Sequence, residues 1–273
     1  MSLDFVYLGK AAFVGVVAGL LSGSFGIGGG MVATPLNRMW LGLDPYMAIG
    51  TALMLVAPTA ISGASRYIKE GIYSKFLART CLVPAFFGTV VGSLVCRHVN
   101  GHVLMVIVAL LIFLSGLDFA TGLIASLIGK FTKEDGKVKI KSLPPVGKRT
   151  YIAALVGLLT GFLSGLVGLG GGFILVPAFV YIFGASIKEA IGTSLLTVAA
   201  VAIPGAVVHG IQDHIHFSVA LAMVIGSIPG ARIGASIALR LKDATLKRSF
   251  GVLLLTVAVV FAAKEVHSYL THG

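Results

Sequence analysis

Long apolar runs separated by short polar gaps fill almost the whole chain. They lie at about 5–24, 28–42, 46–66, 75–96 and 102–128, then at about 150–167, 171–185, 187–209, 216–239 and 246–268. A bilayer-spanning helix needs roughly 20 mostly apolar residues, and most of these runs reach that length. The second run of each five does not. Fifteen residues of helix rise about 22 Å, short of the roughly 30 Å hydrocarbon core. Each short run therefore forms a re-entrant hairpin with the run before it, or a second short span. The one long polar stretch, 129–149, holds Lys133, Lys137, Lys139, Lys141, Lys148 and Arg149 around Pro144-Pro145. It predicts a mobile, basic cytoplasmic linker between a first membrane repeat, 1–128, and a second, 150–273.

The two repeats are copies. Gly26-Ile27-Gly28-Gly29-Gly30 returns 142 positions later as Gly168-Leu169-Gly170-Gly171-Gly172, and the register holds without a gap. Gly15, Gly19, Ser22, Gly23 and Pro35 recur as Gly157, Gly161, Ser164, Gly165 and Pro177. Ala48-Ile49-Gly50-Thr51 recurs as Ala190-Ile191-Gly192-Thr193, and Gly63, Gly88 and Gly92 recur as Gly205, Gly230 and Gly234. Duplicated membrane units of this kind build many secondary transporters.

If each short run returns to the side it came from, three crossings remain per half, and an odd number inverts the second half. The charges of paired loops agree. Arg66, Lys69, Lys75 and Arg79 make one loop basic, whereas its repeat-mate, His209–His216, has Asp213 and no Lys or Arg. Conversely, the Arg97–His102 loop has a single Arg, and its mate holds Arg240, Lys242, Lys247 and Arg248. Under the positive-inside rule this puts 66–79, 129–149 and 240–248 in the cytoplasm and both termini outside. The expected fold is an all-α polytopic integral membrane protein: two duplicated halves in an inverted repeat, with about 8–10 transmembrane or re-entrant helices.

Composition supports the membrane reading, with 57% hydrophobic and 11% charged residues against about 25% charged in an average soluble domain. The net charge of +11 sits at helix ends and in loops, so it marks topology and not nucleic-acid binding. The N-terminus lacks a basic n-region and reads as a first helix, not a removed signal. Cys81 and Cys96 share one apolar run and show no metal-ligand spacing.

Candidate chemistry starts at the glycine stretches. Successive glycines reach left-handed conformations that aim several backbone N–H groups at one point. A helix opening there adds a partial positive charge. Gly26, Gly28, Gly29, Gly30, Gly168, Gly170, Gly171 and Gly172 are thus candidate ligands of an anion, with close helix packing the alternative. No Lys-Ser/Thr follows, so the stretch is not a P-loop, and no strand precedes it as a dinucleotide fingerprint requires. Thr51 and Thr193 could donate hydroxyls to the anion, or bond the carbonyl a turn back. Arg232, about 12 Å deep by helix rise, could attract the anion or snorkel. Asp118 could carry a coupling proton, neutralise Arg232, or play a structural role. Lys10 and Arg38 are expected to snorkel. Pro58, Pro84, Pro204 and Pro229 are expected to mark helix breaks. His209, His214 and His216 share an outer loop without an acidic or cysteine partner at a convincing spacing, so no metal site is assigned. No nucleophile–base set indicates an enzyme, and no cofactor is expected.

The doubled G-x-G-G-G stretch with a proline five residues on resembles the TauE/SafE sulfite exporter family, also called the toluene sulfonate uptake permeases. The matching residues are Ser22–Gly30 with Pro35 and Ser164–Gly172 with Pro177, and the Ala-Ile-Gly-Thr copies at 48–51 and 190–193 also fit. The resemblance covers nearly the whole chain outside 129–149. It implies a permease of a prokaryotic inner membrane that moves sulfite, sulfonate or sulfoacetate-type anions, with protons as the coupling ion. The combined expectation is a secondary transporter of small anions, with a passive anion channel as the alternative.

Overall fold

The computed structural model describes residues 5–121, 131–134, 137–140 and 146–272. The first half folds as α1 (Phe5–Phe25), α2 (Gly30–Met39), α3 (Pro45–Lys69), α4 (Lys75–Cys96) and α5 (Gly101–Thr121). The second follows the same plan as α6 (Val146–Val167), α7 (Gly172–Tyr181), α8 (Ile187–Ile211), α9 (Phe217–Arg240) and α10 (Asp243–His272). Among the described residues, eight helices are long and apolar enough to cross a membrane, all but α2 and α7. Those two have ten residues each, about 15 Å of helix, half the hydrocarbon core. The first turns back beside the helix before it: the Tyr7 hydroxyl near the start of α1 donates to the Leu41 carbonyl just past α2. The length of both helices favours the re-entrant alternative.

Within the stretch expected to be a linker, β1 (Phe131–Glu134) pairs antiparallel with β2 (Lys137–Ile140), and α6 starts at Val146. Val138 and Ile140 alternate with lysines in β2, a pattern that suits a strand. The rest of 122–145 lies outside the described residues. The prolines do not mark the expected breaks: α3, α4, α8 and α9 run uninterrupted through Pro58, Pro84, Pro204 and Pro229. Helices packed on several sides tolerate the one hydrogen bond a proline removes.

Small residues set the packing. Repeat-mates α3 and α8 cross antiparallel, with Gly63 against Leu195 and Gly205 against Leu53. Mates α5 and α10 are also antiparallel, Gly116 packing on Leu254-Leu255 and Gly251 on Phe119-Ala120. The other long seams join the halves in parallel. Gly15, Gly19 and Gly23 of α1 lie on Met223, Ser227 and Ala231 of α9; their mates Gly157, Gly161 and Gly165 of α6 lie on Cys81, Ala85 and Thr89 of α4. At these six positions a Cβ would overlap facing backbone, so only glycine allows the approach. Antiparallel mates about one central axis are consistent with an inverted repeat. The ends of α3 and α9 share a face with the starts of α4 and α8, where Lys188 Nζ donates to the Leu239 carbonyl; Arg66 and Arg240 meet there too.

Candidate functional site

The glycine stretches are the breaks between α1 and α2 and between α6 and α7. Gly26, Gly28 and Gly29 have φ of 76°, 82° and 88°, and Gly168, Gly170 and Gly171 have φ of 70°, 83° and 79°. A left-handed conformation disfavours any side chain by roughly 1–2 kcal/mol per residue, so three such positions in five require glycine. Each break carries the chain back to the middle of the protein, where the two meet. Val56 of α3 and Val198 of α8 pack on both Gly28 and Gly170. A Cβ on Gly28 would stand 3.7 Å from the Gly170 Cα. Gly30 lies against the Gly168 carbonyl, and Gly172 against the Gly26 carbonyl. The contact is thus reciprocal across the axis, and residues 26–30 and 168–172 are all buried.

This geometry aims the N-termini of α2 and α7 at one region from opposite sides. The caps, Gly29 and Gly171, have no side chain to offer the first turn. Intrahelical bonding begins with the Val32 and Ala33 amides on the Gly29 carbonyl, and with the Ile174 and Leu175 amides on the Gly171 carbonyl. Among the described residues, the amides of Gly28, Gly29, Gly30 and Met31, and of Gly170, Gly171, Gly172 and Phe173, meet no protein acceptor. Buried amides are almost always paired. Two such sets, each at a helix end with about half a positive charge, form an electropositive centre built from backbone alone.

The other sequence candidates lie away from it. Thr51 Oγ1 accepts the His216 amide at 3.0 Å, and Thr193 Oγ1 accepts the Ser74 amide at 2.8 Å while donating to the Glu189 carbonyl at 2.7 Å. Each threonine clasps the start of a helix in the other half. Arg232 lines a separate cavity of about 410 Å³ on the basic face with Arg66 and Arg240. Arg66 lies ten residues beyond Val56 on α3, hence about 15 Å from the breaks by helix rise. Asp118 does not neutralise Arg232. It lines an apolar cavity of about 270 Å³ between α5 and α7 and accepts a hydrogen bond from the Tyr181 hydroxyl at the end of α7. Lys10 is exposed, and the Arg38 guanidinium donates to the Leu43 carbonyl at 3.3 Å.

His209 and His214 do come together, their Nδ1 atoms 3.3 Å apart, with His214 stacked on Tyr46. Burial holds the His214 imidazole below its ordinary range, against the pull of Asp44 and Asp213. No group of three metal-ligating side chains occurs among the described residues. Cys81 and Cys96 are free and buried.

Several polar groups escape a reading of the sequence. Arg66 and Arg240 stand out there only as topology markers, although with Arg232 they line one cavity. Tyr181 gives no signal, because its partner is 63 residues away in the other half (118 to 181). Ser22 and Ser164, members of the repeated pattern, sit against Gly29 and Gly171. Their duplication is the one signal that could have found them.

The comparisons match this architecture. The family model described as Sulfite exporter TauE/SafE matches residues 11–261. A probable membrane transporter protein of Xylella fastidiosa (strain Temecula1) is 29% identical over 260 residues, covering 93% of each chain. Probable membrane transporter protein YunE of Bacillus subtilis is 26% identical over 256 residues, covering 89% of this chain and 93% of that one. Probable membrane transporter protein YfcA of Escherichia coli K12 is 27% identical over 266 residues, covering 97% and 91% respectively. No solved structure matches the chain. A duplicated multi-pass helical protein with paired glycine breaks at its centre, matched by the family model along nearly its whole length, belongs to the TauE/SafE sulfite exporter family.

Proposed function

We propose that this protein is a secondary transporter that exports small sulfur oxyanions, sulfite or short sulfonates, in exchange with protons. One observation carries the reading: eight buried backbone amides without acceptors converge from two opposed helix ends. They would bind an anion as an anion hole does, with no side-chain charge to hold it too tightly for release. Sulfite is taken from the family's description; the geometry itself supports small oxyanions as a class. The two breaks touch at the centre, which supports a carrier that rocks between states over a channel.

Polarity comes from what the repeat does not share. The cavity of Arg66, Arg232 and Arg240 has Val208, Val90 and His98 at the equivalent positions of the other half. Its cations concentrate anions at one mouth, and the positive-inside rule makes that mouth cytoplasmic. Asp118 and Tyr181 are replaced by Val260 and Met39 in the equivalent places. Helix α7 carries the Gly172 amide at one end and Tyr181 at the other. Protonating Asp118 would weaken the bond that fixes the far end of the helix presenting the amides.

The test is flux of labelled sulfite and methanesulfonate in proteoliposomes, with and without a pH gradient. Gradient-driven accumulation supports the carrier, and mere equilibration indifferent to the gradient supports the channel. Asp118→Asn is expected to lose at least tenfold of the gradient-driven accumulation while anion–anion exchange persists within about twofold. Full accumulation in this variant would remove Asp118 from the coupling.

A further inference from the structure

We infer that Ser22 and Ser164 are the side-chain donors of two anion half-sites set in series on either side of the central axis, an assignment that rests on the anion reading of the breaks. Both residues are 0% exposed, and neither hydroxyl has a hydrogen-bond partner among the described residues. Apart from Thr160, the other buried hydroxyls among the described residues behave differently. Thr59, Thr89, Ser115 and Thr197 all donate to the carbonyl four residues back at 2.6–3.1 Å, the usual refuge of a hydroxyl in a membrane helix. Ser22 and Ser164 decline it, at equivalent positions of the two repeats, and both adjoin a break. The Ser22 Cβ lies 3.7 Å from where a Cβ on Gly29 would stand, and the Ser164 Cβ lies 3.5 Å from the same point at Gly171.

The half-sites differ in depth. Gly23 packs beside Gly63 of α3, about 7 Å past the α3–α8 crossing near Pro58 by helix rise. Ser22 is therefore displaced toward the basic face, and the antiparallel arrangement displaces Ser164 toward the opposite one. The first half-site joins the Ser22 hydroxyl to the amides of Gly28–Met31. The second joins the Ser164 hydroxyl to the amides of Gly170–Phe173; Thr160 beside it, also buried and unpartnered, has Ala18 as its repeat-mate and turns its methyl to the break. Every group named is a donor, so the ligand is all acceptor at its binding end. A pyramidal or tetrahedral oxyanion with two or more free oxygens meets that need, and Val56 and Val198 between the half-sites keep it small.

The experiment uses the full-length protein, purified in detergent, as wild type, Ser22→Ala, Ser164→Ala and the double variant. Sulfite and methanesulfonate are the probes, read by calorimetric titration and by the shift in thermal midpoint. Each single variant is expected to weaken binding about tenfold, as loss of a hydrogen bond to a charged ligand does. Ser164→Thr, which retains the hydroxyl, keeps wild-type affinity. Without anion, the alanine variants melt at or above the wild-type temperature, because an unpaired buried hydroxyl has been removed. Wild-type affinity in the alanine variants, or ligand-free midpoints several degrees lower, overturns the assignment while leaving the breaks as the site. If the folded wild type answers to neither anion, the anion reading of the breaks falls, and the serines fall with it.

Discussion

Gly30→Ala abolishes transport, by at least 100-fold, and leaves an inserted, folded protein. Gly30 opens α2 in an ordinary helical conformation, outside the glycines of positive φ, so alanine meets no backbone objection there. The methyl instead meets the other repeat: it falls on the Gly168 carbonyl, with the Leu169 carbonyl carbon at 2.9 Å and a Val56 methyl at 3.1 Å. None of these is the far end of a flexible side chain, so the two breaks must separate. Separation moves the amides that converge on the anion, and an error of about 1 Å in such a cluster is enough for a loss of this size. Gly172→Ala, which places its methyl on the Gly26 carbonyl, has the same effect. The double variant is little worse than either single one, since both wedge one contact. Gly42→Ala is the control. Its φ is 67° and nothing lies within 4 Å, so it carries backbone strain of about 1–2 kcal/mol and keeps flux within about twofold. Flux in proteoliposomes reads all four. Wild-type rates in Gly30→Ala would show that the contact between the breaks is not needed for transport.

The breaks are legible in the chain because their demand is local. Positive φ selects glycine whatever the surroundings, and recurrence in register singles out Gly26–Gly30 and Gly168–Gly172 among the many other glycines. Run length singles out α2 and α7 as unusually short, and exchanged loop charges foretell antiparallel mates. What the chain hides is the destination of each hydroxyl and each charge. Thr51 and Thr193 stand out as positions, but their hydroxyls bond amides 165 and 119 residues away, across a seam that no local pattern announces. Asp118 and Arg232 look like partners because buried charges seek neutralisation. Helix packing decides otherwise, bringing Asp118 to Tyr181 and Arg232 to Arg66. The strand pair β1–β2 is hidden because the lysines of β2, counted as charge, mask its period-two pattern. Ser22 and Ser164 stand in view but without a role, since a helical serine ordinarily satisfies itself.

Gly161→Leu is the variant expected to damage the fold itself. Gly161 sits midway along the parallel seam of α6 on α4, its Cα against the Ala85 backbone, with Gly157 and Gly165 one turn to either side. The seam is small on both faces: Gly88 and Gly92 of α4 meet the backbone at Leu158 and Phe162 in the same way. In a bilayer no hydrophobic gain draws helices together, so the pair relies on close backbone approach, dispersion and Cα–H contacts with carbonyls. A leucine at the centre pushes the helices apart along their length and forfeits those contacts at both neighbouring glycines. Overpacking by about 3 kcal/mol would lower the thermal midpoint by about 6–12 °C for a chain of this size. Gly9→Leu, on the same scale of added bulk but with nothing within 4 Å, should leave the midpoint unchanged. Gly19→Leu probes the equivalent seam, where α1 meets Ser227 of α9. If the two seams are copies under one symmetry, its midpoint falls by the same amount within a few degrees. A Gly161→Leu protein that melts with Gly9→Leu would mean that the α4–α6 seam contributes little to stability, and that the duplicated glycines are kept for movement between states instead.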